Sequence, residues 1–98
     1  MESYKLNKDK TFTKVDKIEE ATMSEPERRV GYDELSDGTV VSTVFLGFNH
    51  NYRGGDPILF ETMVFNNEEL GEYQRRYTTW DIAEKAHKAI VELLKSKL

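Results

Sequence analysis

The sequence predicts an α+β domain: an antiparallel sheet of four or five strands, a short N-terminal helix, and a long C-terminal helix packed on one face of the sheet. Three observations carry this reading. Two β-rich runs, Thr39 to Phe48 and Pro57 to Phe65, hold Val40, Val41, Val44 and Phe45, then Ile58, Phe60, Met63 and Val64. Turn-forming residues, Ser36-Asp37-Gly38 and Asn66-Asn67, bound these apolar runs. The C-terminal segment repeats apolar residues at helical spacing.

Along the chain, Tyr4, Leu6 and Phe12 flank the polar Asn7-Lys8-Asp9-Lys10, which suits a short strand or hairpin with a charged turn. From Thr13, the residues Val15, Ile18 and Thr22/Met23 fall at helical spacing, with Thr13 as cap and Asp16 three residues on. That short helix is expected to end before Ser24-Glu25-Pro26, since the residue preceding a proline avoids the helical region. A strand from Arg28 to Leu35, with Val30 and Tyr32 alternating with polar positions, leads into the Ser36-Asp37-Gly38 reversal as a hairpin. The two β-rich runs follow, apolar enough to be central and covered on both faces for part of their length. A fourth strand is expected at Glu72 to Tyr77, after Gly71. Thr78 or Thr79 caps the last helix and Asp81 complements its first turn. Ile82, Ala83, Ala86, Ile90, Leu93 and Leu94 mark its core face, with His87 on the rim and Lys95 and Lys97 at the negative end.

A chain of 98 residues has room for one core, hence a single domain over 1–98. Apolar residues at 38%, with five Tyr, five Phe and one Trp, are enough to fold despite 33% charged residues. Cysteine is absent, which removes disulfides, thiolate zinc sites and cysteine nucleophiles together and fits a reducing cytoplasm. No stretch approaches the roughly 20 apolar residues of a membrane span, and MESYKLNKDK lacks the apolar core of a signal peptide, so a cytoplasmic protein without membrane contact is expected. A net charge of -4 and a pI near 5.2 speak against nucleic acid as a partner.

The polar loop Asn49 to Asp56 is the first candidate site. His50, Tyr52, Arg53, Gly54 and Gly55 combine a titratable ring, a recognition aromatic, a bidentate cation and two glycines that let backbone N–H groups approach an anion. The competing reading is plain turn chemistry between two strong strands. Glu61 is the second: a carboxylate inside an apolar strand, sharing a face with Leu59, Met63 and Phe65, needs a partner, and Arg75, Arg76 and His50 are the candidates. Tyr52 and Tyr73 are expected at the surface beside Arg53, Arg75 and Arg76, whereas Tyr77 and Trp80 suit the strand-to-helix corner. With two histidines and no paired acidic spacing, neither a metal nor a cofactor is expected, and Ser42 lacks a nucleophile signature.

The phrases VSTVFLGFNHNYRGGDPILFETMVF, from Val41 to Phe65, and RRYTTWDIAEKAH, over 75–87, resemble a family of small uncharacterised proteins of tailed bacteriophages, prophages and bacteria. In that family a Leu-Gly-Phe/Leu-Asp/Asn-His run leads through a glycine-rich loop and a proline to Phe-Glu-Thr-Met-Val-Phe. Here Asn49 stands where an aspartate often precedes the histidine, which speaks against metal binding by the pair. The resemblance implies a phage-type setting inside a bacterial host cell and assigns no chemistry.

The expected function is a small non-enzymatic binding protein of phage type, docking on a host or phage protein and, as a candidate role, countering a host defence system. A homo-oligomer is expected, because one helix leaves sheet surface to cover. The alternative is a small-molecule or nucleotide binder, its anionic ligand held at the open end of the sheet by His50, Arg53, Gly54, Gly55 and Arg76.

Overall fold

The computed structural model describes residues 2–21 and 23–98. It comprises a two-stranded sheet, a four-stranded antiparallel sheet, two single-turn helices and a long C-terminal helix. β1 (Ser3–Leu6) and β2 (Phe12–Val15) form a hairpin in which Tyr4 lies opposite Lys14. Asn7 and Thr11 close its turn: the Asn7 N–H donates to the Thr11 carbonyl at 2.8 Å, and the Asp9 carboxylate accepts from the Thr11 N–H at 3.1 Å.

The helix expected from Thr13 does not form. Thr13 to Val15 pair with β1 as strand, so the Val15–Ile18 spacing that imitates a helix belongs to a strand end and a separate turn. That turn is α1 (Ile18–Ala21), and the Thr22 part of the expectation lies outside the described residues. Pro26 then sits inside a second turn, α2 (Glu25–Arg28), in the first-turn position proline tolerates. The Ser24 hydroxyl caps it by accepting from the Glu27 N–H and donates to the Glu27 carboxylate at 2.7 Å, a reciprocal cap.

The main sheet has the order β3 (Arg29–Glu34), β4 (Val40–Phe45), β5 (Phe60–Phe65), β6 (Gln74–Tyr77), with all neighbours antiparallel. The β3–β4 reversal falls at Ser36-Asp37-Gly38, where Asp37 accepts from the Thr39 N–H at 2.9 Å and Gly38 takes φ 89°. A bulge between Arg29 and Gly31 shifts the register of β3. α3 (Trp80–Lys95), capped by Thr79, lies across one face of this sheet.

Strand alternation decides what the helix covers. Val41, Thr43 and Phe45 of β4 and Phe60, Thr62 and Val64 of β5 point to α3 and are buried. One core cluster joins Val41 and Val64 to Ile90, Val91 and Leu94 of the helix. Another joins Tyr4, Phe45, Leu59, Phe60 and Ala83, with Phe12 and Trp80 packed on it. The N-terminal hairpin therefore closes the end of the core near the start of α3. The helix stripe runs through Ala83, His87, Ile90, Val91 and Leu94, so His87 is in the core and not on its rim, while Ile82 and Leu93 are half exposed.

Coverage on both faces is found for part of β5, where residues 60–62 are all buried, whereas β4 is buried only on alternate residues, those facing α3. The smallest extent of the molecule, 19 Å, accommodates one sheet and one helix layer and no third. Apart from the buried Glu61, the opposite, outer face of the sheet is open.

Candidate functional site

On the outer face the register lays out three rows across the strands. The first holds Glu34, Val40 and Phe65, and the second Tyr32, Ser42, Met63 and Gln74. The third holds Arg29, Val44, Glu61 and Arg76. Tyr32 is 48% and Phe65 44% exposed, high for large rings in sheet strands. The Arg29 guanidinium stacks 4.8 Å over the Tyr32 ring, which fixes both on this face.

Glu61 is only 8% exposed, and its partner is the cross-strand neighbour Arg76, whose Nε donates to Oε2 at 2.9 Å. Gln74 donates a second hydrogen bond to the same oxygen at 2.8 Å, a contact the sequence reading missed. Arg75, the other candidate partner, alternates to the helix side and stacks at 4.9 Å on Tyr73. Leu59, just before β5, is buried in the core and does not share the face of Glu61. Tyr73 packs partly buried against the helix-side core, so it lies across the sheet from Glu61 and Arg76 instead of beside them.

The loop Asn49 to Asp56 is built by two asparagine side chains. Asn49 Oδ1 accepts from the N–H groups of Asn51 at 2.8 Å and Ile58 at 3.0 Å. Asn51 accepts from the Arg53 N–H at 3.1 Å and donates to the Asp56 carbonyl at 2.8 Å. Gly54 and Gly55, at φ 85° and 96°, turn the chain where side chains would be strained. Tyr52, Arg53, Gly54 and Gly55 are thus held out in solvent, Tyr52 at 76% exposure. His50 is half-buried at the loop base, its ring 6.5 Å from that of Tyr52 and its Nδ1 3.1 Å from the Phe48 carbonyl. Burial first, and the Arg76 charge second, hold the His50 imidazole below its ordinary pKa, with Glu61 acting in the opposite sense. His50, Glu61 and Arg76 therefore form one electrostatic group, while Tyr52 and Arg53 project beyond it.

The cation-lined pocket expected around His50, Arg53, Gly54, Gly55 and Arg76 does not coincide with the main hollows of the surface. One, of about 520 Å³, lies between β5, β6 and the loop joining them, walled by Met63, Phe65, Asn66, Glu72 and Gln74. Another, of about 410 Å³, lies between β3 and α3 with Gly31, Asp33 and His87 in its wall.

Beneath that second hollow runs a polar chain that no motif announced. Asp33 Oδ2 stands 2.7 Å from His87 Nε2, and His87 Nδ1 stands 2.7 Å from the Thr43 hydroxyl. Thr43 meets the Thr62 hydroxyl of the next strand at 2.5 Å. Gly31 admits the imidazole: a Cβ there would sit 2.7 Å from ring atoms of His87. The connectivity acid–histidine–hydroxyl is that of a nucleophilic relay, but Thr43 is fully buried and already bonded to Thr62, so no substrate atom reaches it. It satisfies buried polar groups across the sheet and is architecture.

Among the described residues no group of three or more His, Asp or Glu is arranged to hold a metal ion, and no helix is long and apolar enough to cross a membrane. No protein-family model, curated protein or solved structure matches this chain.

Proposed function

We propose that this is a small non-enzymatic binding protein that docks on a protein partner through the loop Asn49 to Asp56. The observation that carries the reading is Tyr52: a large aromatic three-quarters exposed on a loop whose backbone is fixed by Asn49 and Asn51. The Tyr52 ring meets that of His50 within the same loop, neither Tyr52 nor Arg53 is part of a core cluster, and both are residue types that anchor interfaces. A pre-ordered loop also lowers the entropy lost on docking. The phage-type setting, with a host or phage protein as target and a host defence system as a candidate one, rests on the sequence resemblance alone.

Tyr52→Ala and Arg53→Ala should each leave the melting temperature within about a degree or two while weakening partner binding by more than about 1 kcal/mol, roughly five-fold. Cross-linked capture from bacterial lysate, repeated with both variants and followed by titration of the captured protein, measures this. Catalytic turnover by the purified protein, lost on changing His50, Arg53 or Glu61, would overturn the non-enzymatic reading. A thermal shift with a nucleotide panel, lost in Arg53→Ala, would replace the protein partner with a small anion.

A further inference from the structure

We propose that the outer face of the four-stranded sheet seats a second copy of this chain, stacked sheet on sheet about a two-fold axis that runs across the strands along the Tyr32–Met63 row. The charges on the face select this arrangement. One end of the face carries Arg29 and Arg76, and the other carries Glu34 on β3 and Glu72 in the wall of the 520 Å³ hollow beside β6. Rotation about an axis across the strands lays each strand over its own copy with the ends exchanged. Glu34 then meets Arg29 of the second copy, and Arg76 of the second copy meets the hollow walled by Glu72. Rotation about an axis along the strands would instead stack Arg29 on Arg76 at both ends, like charge on like.

The apolar groups fit the same choice. Val40 meets Val44 of the second copy, Tyr32 and Met63 lie near the axis, and Phe65 covers a Glu61–Arg76 pair whose charges already compensate each other. Arg76 spends its Nε on Glu61 and reaches the second copy with its terminal nitrogens. An apolar middle with a charged rim is the anatomy of a protein interface, and a two-fold contact makes every pair twice. The patch spans roughly 13 Å along the strands and 14 Å across them between backbone centres, small beside a standard interface, so a weak, concentration-dependent dimer is expected.

The loop Asn49 to Asp56 is not part of this contact, and the two loops would point from opposite ends of the pair. The test is sedimentation equilibrium of the full chain from about 10 μM to 1 mM, with far-UV circular dichroism confirming the fold of each variant. Wild type should dimerise, and Glu34→Arg, which sets arginine against arginine twice, should weaken the dimer about ten-fold or more. The swap Arg29→Glu with Glu34→Arg should restore it to within about three-fold, because it exchanges the signs without changing the pairing. A wild-type monomer throughout, a dimer indifferent to Glu34→Arg, or a swap that does not rescue would each overturn the proposal. Tyr52→Ala should leave the dimer unchanged, which separates this outcome from the docking role of the loop.

Discussion

The two faces of one four-stranded sheet differ more than their sequences do. Both alternate positions along β4 and β5 carry β-branched or aromatic residues, so β-propensity does not distinguish them. On the inner face β4 and β5 meet α3 and lose nearly all contact with water, and the polar groups buried there, Thr43, Thr62 and His87, bond one another. The outer face keeps Tyr32 and Phe65 about half exposed and carries its charges at the two ends. Burial is thus concentrated on one side of the sheet, and the other side keeps large side chains in contact with water.

Three measurements test that contrast, the first with the largest effect. Ile90 is buried in the inner cluster, and Ile90→Ala should destabilise by about 2–5 kcal/mol in a urea melt, because the helix cannot collapse into the cavity without moving off the sheet. A change below about half a kilocalorie would place the stability elsewhere.

Gly31→Ala comes next. Its Cβ collides with the His87 ring, so the ring shifts and strains its bonds to Asp33 and Thr43, at a cost of about 1–3 kcal/mol. Chemical denaturation of Gly31→Ala in a His87→Ala background should show a smaller cost, which identifies the collision as the cause.

The smallest effect is the pH dependence set at the base of the loop. Burial and then Arg76 lower the His50 pKa below 6.5, so the unfolded chain binds the proton more readily than the folded one. The contribution of His50 to stability is therefore full above that value and declines as pH falls through it. Melts between pH 8 and 5 should show a shallower acid decline in His50→Asn, and NMR titration should show the His50 pKa rising in Arg76→Gln. A pKa unmoved by Arg76→Gln would detach His50 from the outer face.

The sequence displayed those parts of the fold that depend on local chemistry. The Ser36-Asp37-Gly38 turn, the Thr79 cap and the two apolar strands are all where propensity places them. The N-terminal segment was misread because Thr13 to Val15 obtain their hydrogen bonds from β1, a pairing that the Val15–Ile18 spacing conceals. The core stripe of α3 was placed too far toward Ile82 and Leu93 because hydropathy does not count a histidine as core, and His87 becomes core only through Gly31, Asp33 and Thr43 from two other strands. Of the site, the exposed Tyr52 and Arg53 and the Glu61–Arg76 pair were legible, since loop polarity and a lone carboxylate in a strand are local signals. That Tyr73 faces away from them depends on the β5–β6 register, which no local pattern encodes.

The polar chain from Asp33 to Thr62 has a direction. Each threonine hydroxyl owns one proton. With the Nε2–H of His87 on Asp33, Nδ1 accepts from the Thr43 hydroxyl, and Thr43 in turn accepts from Thr62. The interior of this small domain therefore holds a line of coupled dipoles, in which the orientation of one hydroxyl sets that of the next.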